Sequence, residues 1–267
     1  MKQLGNSIFK FSNWLIITLA ISSCEKVVTI DLNSVNPKLV VEGNITNLPG
    51  PYIVKLSHTV NYYDPNVFPA VSGASVFVSD NAGNADTLKE TSAGIYRTSS
   101  LKGVEGRNYF LKIVASGQTY IAISTMPYKV PIDSLNYFLN TQNNSYRVVC
   151  KFKDPAGIAN YYKVQFTSND SLAINSDARL LSDKLTDGEE MSITRNRVHV
   201  LVNDTIFAKL ESINRLTYDF YTTMVNVEGG TSQYLSAPPA NPVTNISNGG
   251  LGYFAAYTIS RNTVVIH

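Results

Sequence analysis

Tyr52 to Thr59, YIVKLSHT, puts Tyr52, Val54 and Leu56 on one side and Ile53, Lys55 and Ser57 on the other. A strict period of two marks a β-strand with one face on a core, because successive side chains of a strand point to opposite faces. Lys38 to Thr46 (KLVVEGNIT) reads the same way, and the turn-rich run Asn47-Leu48-Pro49-Gly50-Pro51 joins the two. Downstream, a longer loop at 61–73 (NYYDPNVFPAVSG) leads to strands at 74–79, 85–90, 94–98, 109–115 and 119–125. Short turns such as Asp80-Asn81-Ala82-Gly83-Asn84 and Ser116-Gly117 connect them. Strands of this length and spacing predict a β-sandwich over 37–126, immunoglobulin-like or transthyretin-like.

Composition agrees. Sixteen Tyr and eleven Phe against 16% charged residues favour a mainly β chain. Met126-Pro127-Tyr128-Lys129-Val130-Pro131 interrupts the strand series with two prolines and reads as a linker to a second β-rich domain, 127–267. That domain is predicted to hold strands at 133–140, 145–153, 160–168 and 253–260, and a hairpin of 197–203 with 205–213 around Asn203-Asp204. The polar stretch 169–190 reads as an excursion with a short helical turn. One helix is expected, over 214–225 (NRLTYDFYTTMV): Leu216, Phe220 and Thr223 or Met224 repeat at helical spacing, Asn214 serves as N-cap, and Gly229-Gly230 end it.

The chain opens with a different signal. Lys2 and Lys10 precede a short apolar run, Trp14 to Ile21, too brief to span a bilayer. It ends in Ile21-Ser22-Ser23-Cys24, which resembles a bacterial lipobox, so residues 1–23 are expected to leave as a lipoprotein signal peptide. Cys24 then carries the lipid, and 24–36 form a lipidated tether and first strand. Removing 1–23 takes two of the 22 basic side chains and none of the 20 acidic ones, which leaves a neutral mature chain. Nucleic-acid binding thereby loses its electrostatic basis. Cys150 has no partner for a disulfide, and it shares a strand face with Val148 and Phe152, so a buried thiol is expected there.

No motif announces a reaction. The three histidines, His58, His199 and His267, lack metal-ligand spacing, and the nucleophile elbow, the phosphate loop and the dinucleotide fingerprint are missing from the sequence. The chain is therefore expected to be non-enzymatic and to need no cofactor. Asp80, Asn81, Asn84 and Asp86 gather oxygen ligands in one turn and form a weak calcium candidate, although a plain hairpin turn favours the same residues. Asp183, Asp187, Glu189 and Glu190 read as a solvated face. Tyr62, Tyr63, Asp64 and Phe68 in the long loop, with Tyr253, Phe254 and Tyr257 beyond the glycine run, are candidates for stacking on a sugar or entering a partner protein. Thr87, Ser134, Ser171 and Thr205 each follow an aspartate and precede an apolar residue, a pattern that resembles an envelope O-glycosylation acceptor.

Several stretches together resemble one family: SCEKVVTIDL (23–32), PKLVVEGNITNLPGPYIVKLS (37–57), FPAVSGASVFVSD (68–80), GIYRT (94–98), MPYKVPIDSL (126–135) and DPAGIANYY (154–162). LESINRLTYDFY (210–221) and APPANPVTNISNGGLGYFAAYTIS (237–260) complete the set. They are similar to the Bacteroidota lipoproteins grouped as domain of unknown function 4249. The resemblance implies a lipidated outer-membrane protein with β domains, often encoded near TonB-dependent receptors. It transfers no catalytic residue. The expected function is an accessory binding protein anchored to the outer membrane through Cys24, with a TonB-dependent receptor as partner. A hydrolase or glycan-processing enzyme with its site in the loops or at the domain junction, and a surface adhesin, are the alternatives.

Overall fold

The computed structural model describes residues 36–61, 65, 67–142, 144–169, 177–195, 200–228 and 241–267. Cys24, Tyr62, Tyr63, Asp64, Ser171 and His199 lie outside them. The described chain is mainly β and arranged as sandwiches.

Eight strands occupy the first half: β1 (Leu39–Thr46), β2 (Ile53–His58), β3 (Ser75–Asp80), β4 (Ala85–Thr87), β5 (Lys89–Ser92), β6 (Ile95–Arg97), β7 (Asn108–Ala115) and β8 (Gln118–Thr125). The predicted single strand at 85–90 is two strands in different sheets: β4 pairs with β3, and β5 pairs with β6. Leu88, buried between them, turns the chain from one layer to the other, its N–H bonded to the Val76 carbonyl at 2.9 Å. The β7–β8 hairpin closes at Ser116-Gly117, both at positive φ, as a tight turn matched to strand twist requires.

The second half holds β9 (Ser134–Asn140), β10 (Ser145–Lys153), β11 (Tyr161–Ser168), β12 (Asp177–Ser182), β13 (Glu190–Arg195), β14 (Thr205–Ile213), helix α1 (Arg215–Glu228) and β15 (Leu251–Val265). Two expectations are corrected. The 169–190 excursion contains β12, which pairs with β11. Residues 200–203 are not a strand, and β14 pairs instead with β11 and β15.

β15 is fifteen residues long, and it changes partner midway. Leu251 to Tyr257 run parallel to β1, and Thr258 to Val265 run antiparallel to β14. One eight-stranded sheet, β12-β11-β14-β15-β1-β2-β6-β5, results. The sheet β4-β3-β7-β8 faces its β1 half, and β13-β10-β9 belongs to the β14 half. The first core includes Val41, Leu56, Tyr96, Tyr109, Met126 and Phe254. The second includes Val130, Cys150, Phe152, Tyr162, Phe166 and Ile206. Gly252 makes the start of β15 possible: its φ is +86°, and a Cβ there would lie 2.0 Å from the Val41 carbonyl oxygen.

Helix α1 starts as expected. The Asn214 side-chain oxygen accepts the Thr217 N–H at 2.9 Å, and its amide donates to Ser124 Oγ and the Thr125 carbonyl, pinning the helix to β8. The buried side is Thr217 and Phe220, whereas Leu216, expected to face the core, is exposed.

Candidate functional site

The outer face of the eight-stranded sheet carries polar and aromatic side chains, and α1 packs against it over β11, β12 and β15. Alternation sets this layer. Tyr162, Val164 and Phe166 go to the core, so Tyr161, Lys163 and Gln165 go outward. Register then places Lys163 opposite Glu211, and Gln165 opposite Lys209.

Glu211 is buried and held by two ammonium groups, Lys209 Nζ at 2.7 Å and Lys163 Nζ at 3.2 Å. Burying a carboxylate is costly unless it is paired, and here two lysines share one acid. Lys163 also lies over the Tyr221 ring, 4.4 Å from its centroid. Tyr221 packs on Tyr253 at 5.5 Å, Phe220 on Tyr253 at 4.6 Å, and Tyr218 on Tyr161 at 5.1 Å. Burial, then the neighbouring Tyr253 and Glu211, push the Tyr221 hydroxyl far up; burial and Glu211 do the same for Tyr257. Both phenols are neutral donors throughout the physiological range.

Beside this cluster a groove of about 570 Å³ opens between α1 and the sheet, a volume ordinary for a small-molecule site. Lys163 and Gln165 of β11 and Ala178 and Leu180 of β12 line one side. Tyr218, Tyr221, Thr222 and Val225, spaced as one helical stripe, line the other. Arg179 also borders it, but register pairs Arg179 with the core residue Val164, so its side chain belongs to the opposite face. A larger basin of about 810 Å³ lies over the 47–52 and 98–103 turns; there the Tyr52 hydroxyl is used internally, accepting the Gly103 N–H and donating to the Leu48 carbonyl.

The other expected site residues fall apart in space. Tyr253 is in the aromatic cluster, its hydroxyl 3.4 Å from the Asn44 amide nitrogen. Phe254, the next residue of the same strand, points the other way and is fully buried in the first core, so it is a packing residue. Phe68 is 57% exposed. Asp80 and Asp86 are taken up by separate sets of donors. Asp80 takes the Ala82 and Asn84 N–H groups, the Asn84 amide and Arg107, while Asp86 takes the N–H groups of Ser99, Ser100 and Leu101 and the Ser99 hydroxyl. Burial alone would raise both carboxyls, but these donors outweigh it and hold them below the usual carboxylate range. Their oxygens are committed to turn bonding. Thr87 is exposed, and Ser134 and Thr205 are half-buried.

One group escaped sequence reasoning. Asp183, expected on a solvated face, is buried, and it meets Asp154 and Asp187 with carboxylate oxygens within 4.8 Å of one another. Tyr162 donates to Asp154, and the N–H groups of Gly188, Asn160 and Gly157 donate to Asp154, Asp183 and Asp187. The trio clamps the 154–160 loop to the 183–189 turn. Cys150 is a buried thiol, as expected, pushed up to about 12 by burial with Asp133 adding.

A family model described as a domain of unknown function, DUF4249, matches residues 25–263. The chain belongs to that family. No curated protein matches it. Among solved structures, it is similar to a two-domain fibronectin type-III segment of chicken tenascin, at 10% identity over 67% of this chain and 91% of that one, TM-score 0.23. It is also similar to a cytokine receptor complex, at 11% identity over 83% and 94%, TM-score 0.25. A third is the chicken interferon gamma receptor alpha chain, at 10% identity over 67% and 90%, TM-score 0.21. Likenesses this distant bear on no question of function.

Proposed function

We propose that this chain is a non-enzymatic binding protein of the cell envelope, held to the outer membrane by lipid on Cys24 and working beside a TonB-dependent receptor in a Bacteroidota cell. The lipobox-like run ending at Cys24 supports the anchoring, and the family resemblance supports the partner. The observation that carries binding over catalysis is the groove under α1. Among the described residues its lining is two tyrosines, aliphatic side chains, Gln165, Thr222, Arg179 and a lysine already committed to Glu211, with no nucleophile set against a base. The acidic trio that could suggest hydrolysis is not part of that lining, and its oxygens hold backbone amides.

The test is a pull-down of the tagged, lipidated protein from detergent-solubilised native envelope, with Cys24→Ala as control. Stoichiometric recovery of a TonB-dependent receptor is expected. Recovery of the tagged chain alone, together with turnover of an envelope substrate that a single polar substitution abolishes, would replace this reading with the hydrolase. Modification at Thr87, Ser134, Ser171 or Thr205 predicts an intact mass above peptide plus lipid; a mass of peptide plus lipid alone would remove it.

A further inference from the structure

We propose that strand β9 is a self-association edge, through which two copies of this chain pair antiparallel across a two-fold axis and join their three-stranded sheets into one of six strands. Five of the six sheet edges among the described residues are blunted or covered. β4 is three residues long, and β5 is four, with Lys89, Glu90 and a register break between Glu90 and Ser92. β12 carries Asp177 and Arg179, and β13 carries Glu190 and Arg195. The edge of β8 is occupied: the Ser247 N–H donates to the Ile121 carbonyl at 2.9 Å, and its hydroxyl accepts the Ile121 N–H at 2.8 Å. The Asn245 and Asn248 amides donate to the Ile123 and Thr119 carbonyls beside it.

β9 has none of these devices. Ser134 to Asn140, SLNYFLN, holds no charge and no proline, and it pairs with β10 in unbroken register. In an antiparallel pair every second residue turns its N–H and C=O away from the neighbour. Among the described residues, β9 makes no backbone hydrogen bond other than to β10. The His267 N–H bonds the Tyr137 hydroxyl at 3.2 Å, a side-chain contact that takes none of these groups. Phe138 and Leu139, on opposite faces of the strand, are 48% and 46% exposed. Another extended backbone is what completes such a row. The strand suits its own copy: antiparallel self-pairing sets each side chain against one of the same seven, and an uncharged edge of Asn, Tyr, Phe and Leu brings no like charges together. Arg147 and Lys151 of β10 would stand three strand spacings, about 14 Å, from their copies, beyond the Debye length of about 8 Å. An edge this short makes a small interface, at or below the roughly 1,200 Å² of stable complexes, so the dimer is expected to be weak and reversible.

The experiment uses the mature chain with Cys24→Ala, which needs no detergent; both cores lie within residues 36–267, away from that change. Sedimentation equilibrium reads association, and hydrogen exchange follows the β9 amides, from about 5 to about 500 μM chain. A monomer–dimer equilibrium is expected, with alternate amides of 134–140 slowing in proportion to the dimer fraction. Phe138→Lys appears twice in a two-fold dimer and faces its own charge, so it should weaken association about tenfold with the Tm of the monomer unchanged. Phe77→Lys, the same change on the outer face of the four-stranded sheet, should leave association as it was. If Phe138→Lys does not fold, Asn136→Lys replaces it. A chain that stays monomeric to about 500 μM overturns the proposal. So does a dimer whose β9 amides exchange at the rate of the monomer, or one that survives the lysine on β9. A monomer whose β9 amides slow only when envelope extract is added would overturn it in favour of a foreign strand.

Discussion

Asp86 accepts four hydrogen bonds, three of them from consecutive backbone N–H groups at Ser99, Ser100 and Leu101. Replacing it by alanine strands those donors in a part-buried site that water reaches in part, and bonds to a charged acceptor contribute about 1.5–3 kcal/mol each net of exchange with water. Asp86→Ala should therefore cost about 3 kcal/mol of stability, read as a shift in urea midpoint with an unchanged slope. Its carboxyl, like that of Asp80, is held below the ordinary carboxylate value. Both contribute stability that is fully present above about pH 4 and is lost as pH falls through their lowered folded values. Asp86→Ala should flatten that acid limb. At Cys150 the expectation is kinetic. A buried thiol at about 12 is almost never a thiolate, so maleimide should label it only on unfolding, and labelling at the native-state surface rate would contradict the structure.

Two elements explain why this sheet can exist. The start of β15 needs a residue that tolerates φ +86° with a carbonyl oxygen where a Cβ would be, so Gly252→Ala should either displace β15 from β1 or cost several kcal/mol. Gly43, across from Phe254 on β1, has a milder constraint, since its Cβ would meet the Phe254 ring at 2.9 Å. Helix α1 depends on its first turn. Asn214→Ala removes both the cap and the ties to Ser124 and Thr125, and should cost about 1–2 kcal/mol, with loss of helical signal in circular dichroism. The cap residue and the helix span were legible beforehand, because capping is local chemistry. The buried side of α1 was legible in part: Phe220 is buried as expected, but Thr217 is buried beside it and Leu216, the more apolar side chain, is exposed, because the tie at Asn214 sets the rotation of the helix.

At the scale of the molecule, β15 serves both cores. It supplies Phe254 and Ala256 to one, while Val264 near its far end and Ile266 just past it pack in the other. A strand common to two cores should make them unfold together. Phe254→Ala in the first and Phe166→Ala in the second should each cost about 3–5 kcal/mol and lower the same transition. Two separated transitions would show that the strand does not couple them. Alkaline pH gives a further test. Tyr52, Tyr96, Tyr109, Tyr162, Tyr221 and Tyr257 are all raised, chiefly by burial, so the folded state prefers the neutral phenol. Their contribution is complete below about pH 10, the unfolded value, and is lost as pH rises toward the folded ones, so stability should fall steeply above about pH 10 with cooperative phenolate absorbance.

Residue order by itself determined the class of this protein. Period-two runs, Gly and Asn turns and the capped helix are written in neighbouring residues, and so is the lipobox-like run at Cys24. It also placed Tyr253 among the aromatics worth watching. What it could not determine is which strand lies beside which. That β15 leaves β1 for β14, that Lys163 sits opposite Glu211, and that Asp154 meets Asp183 are pairings between segments far apart in the chain. Such pairings are chosen by the packing of whole faces, where a one-residue slip would turn every side chain over. Tyr253 and Phe254 show the limit most plainly: one aromatic pair in sequence, and after pleating one ring under the helix and one in the core.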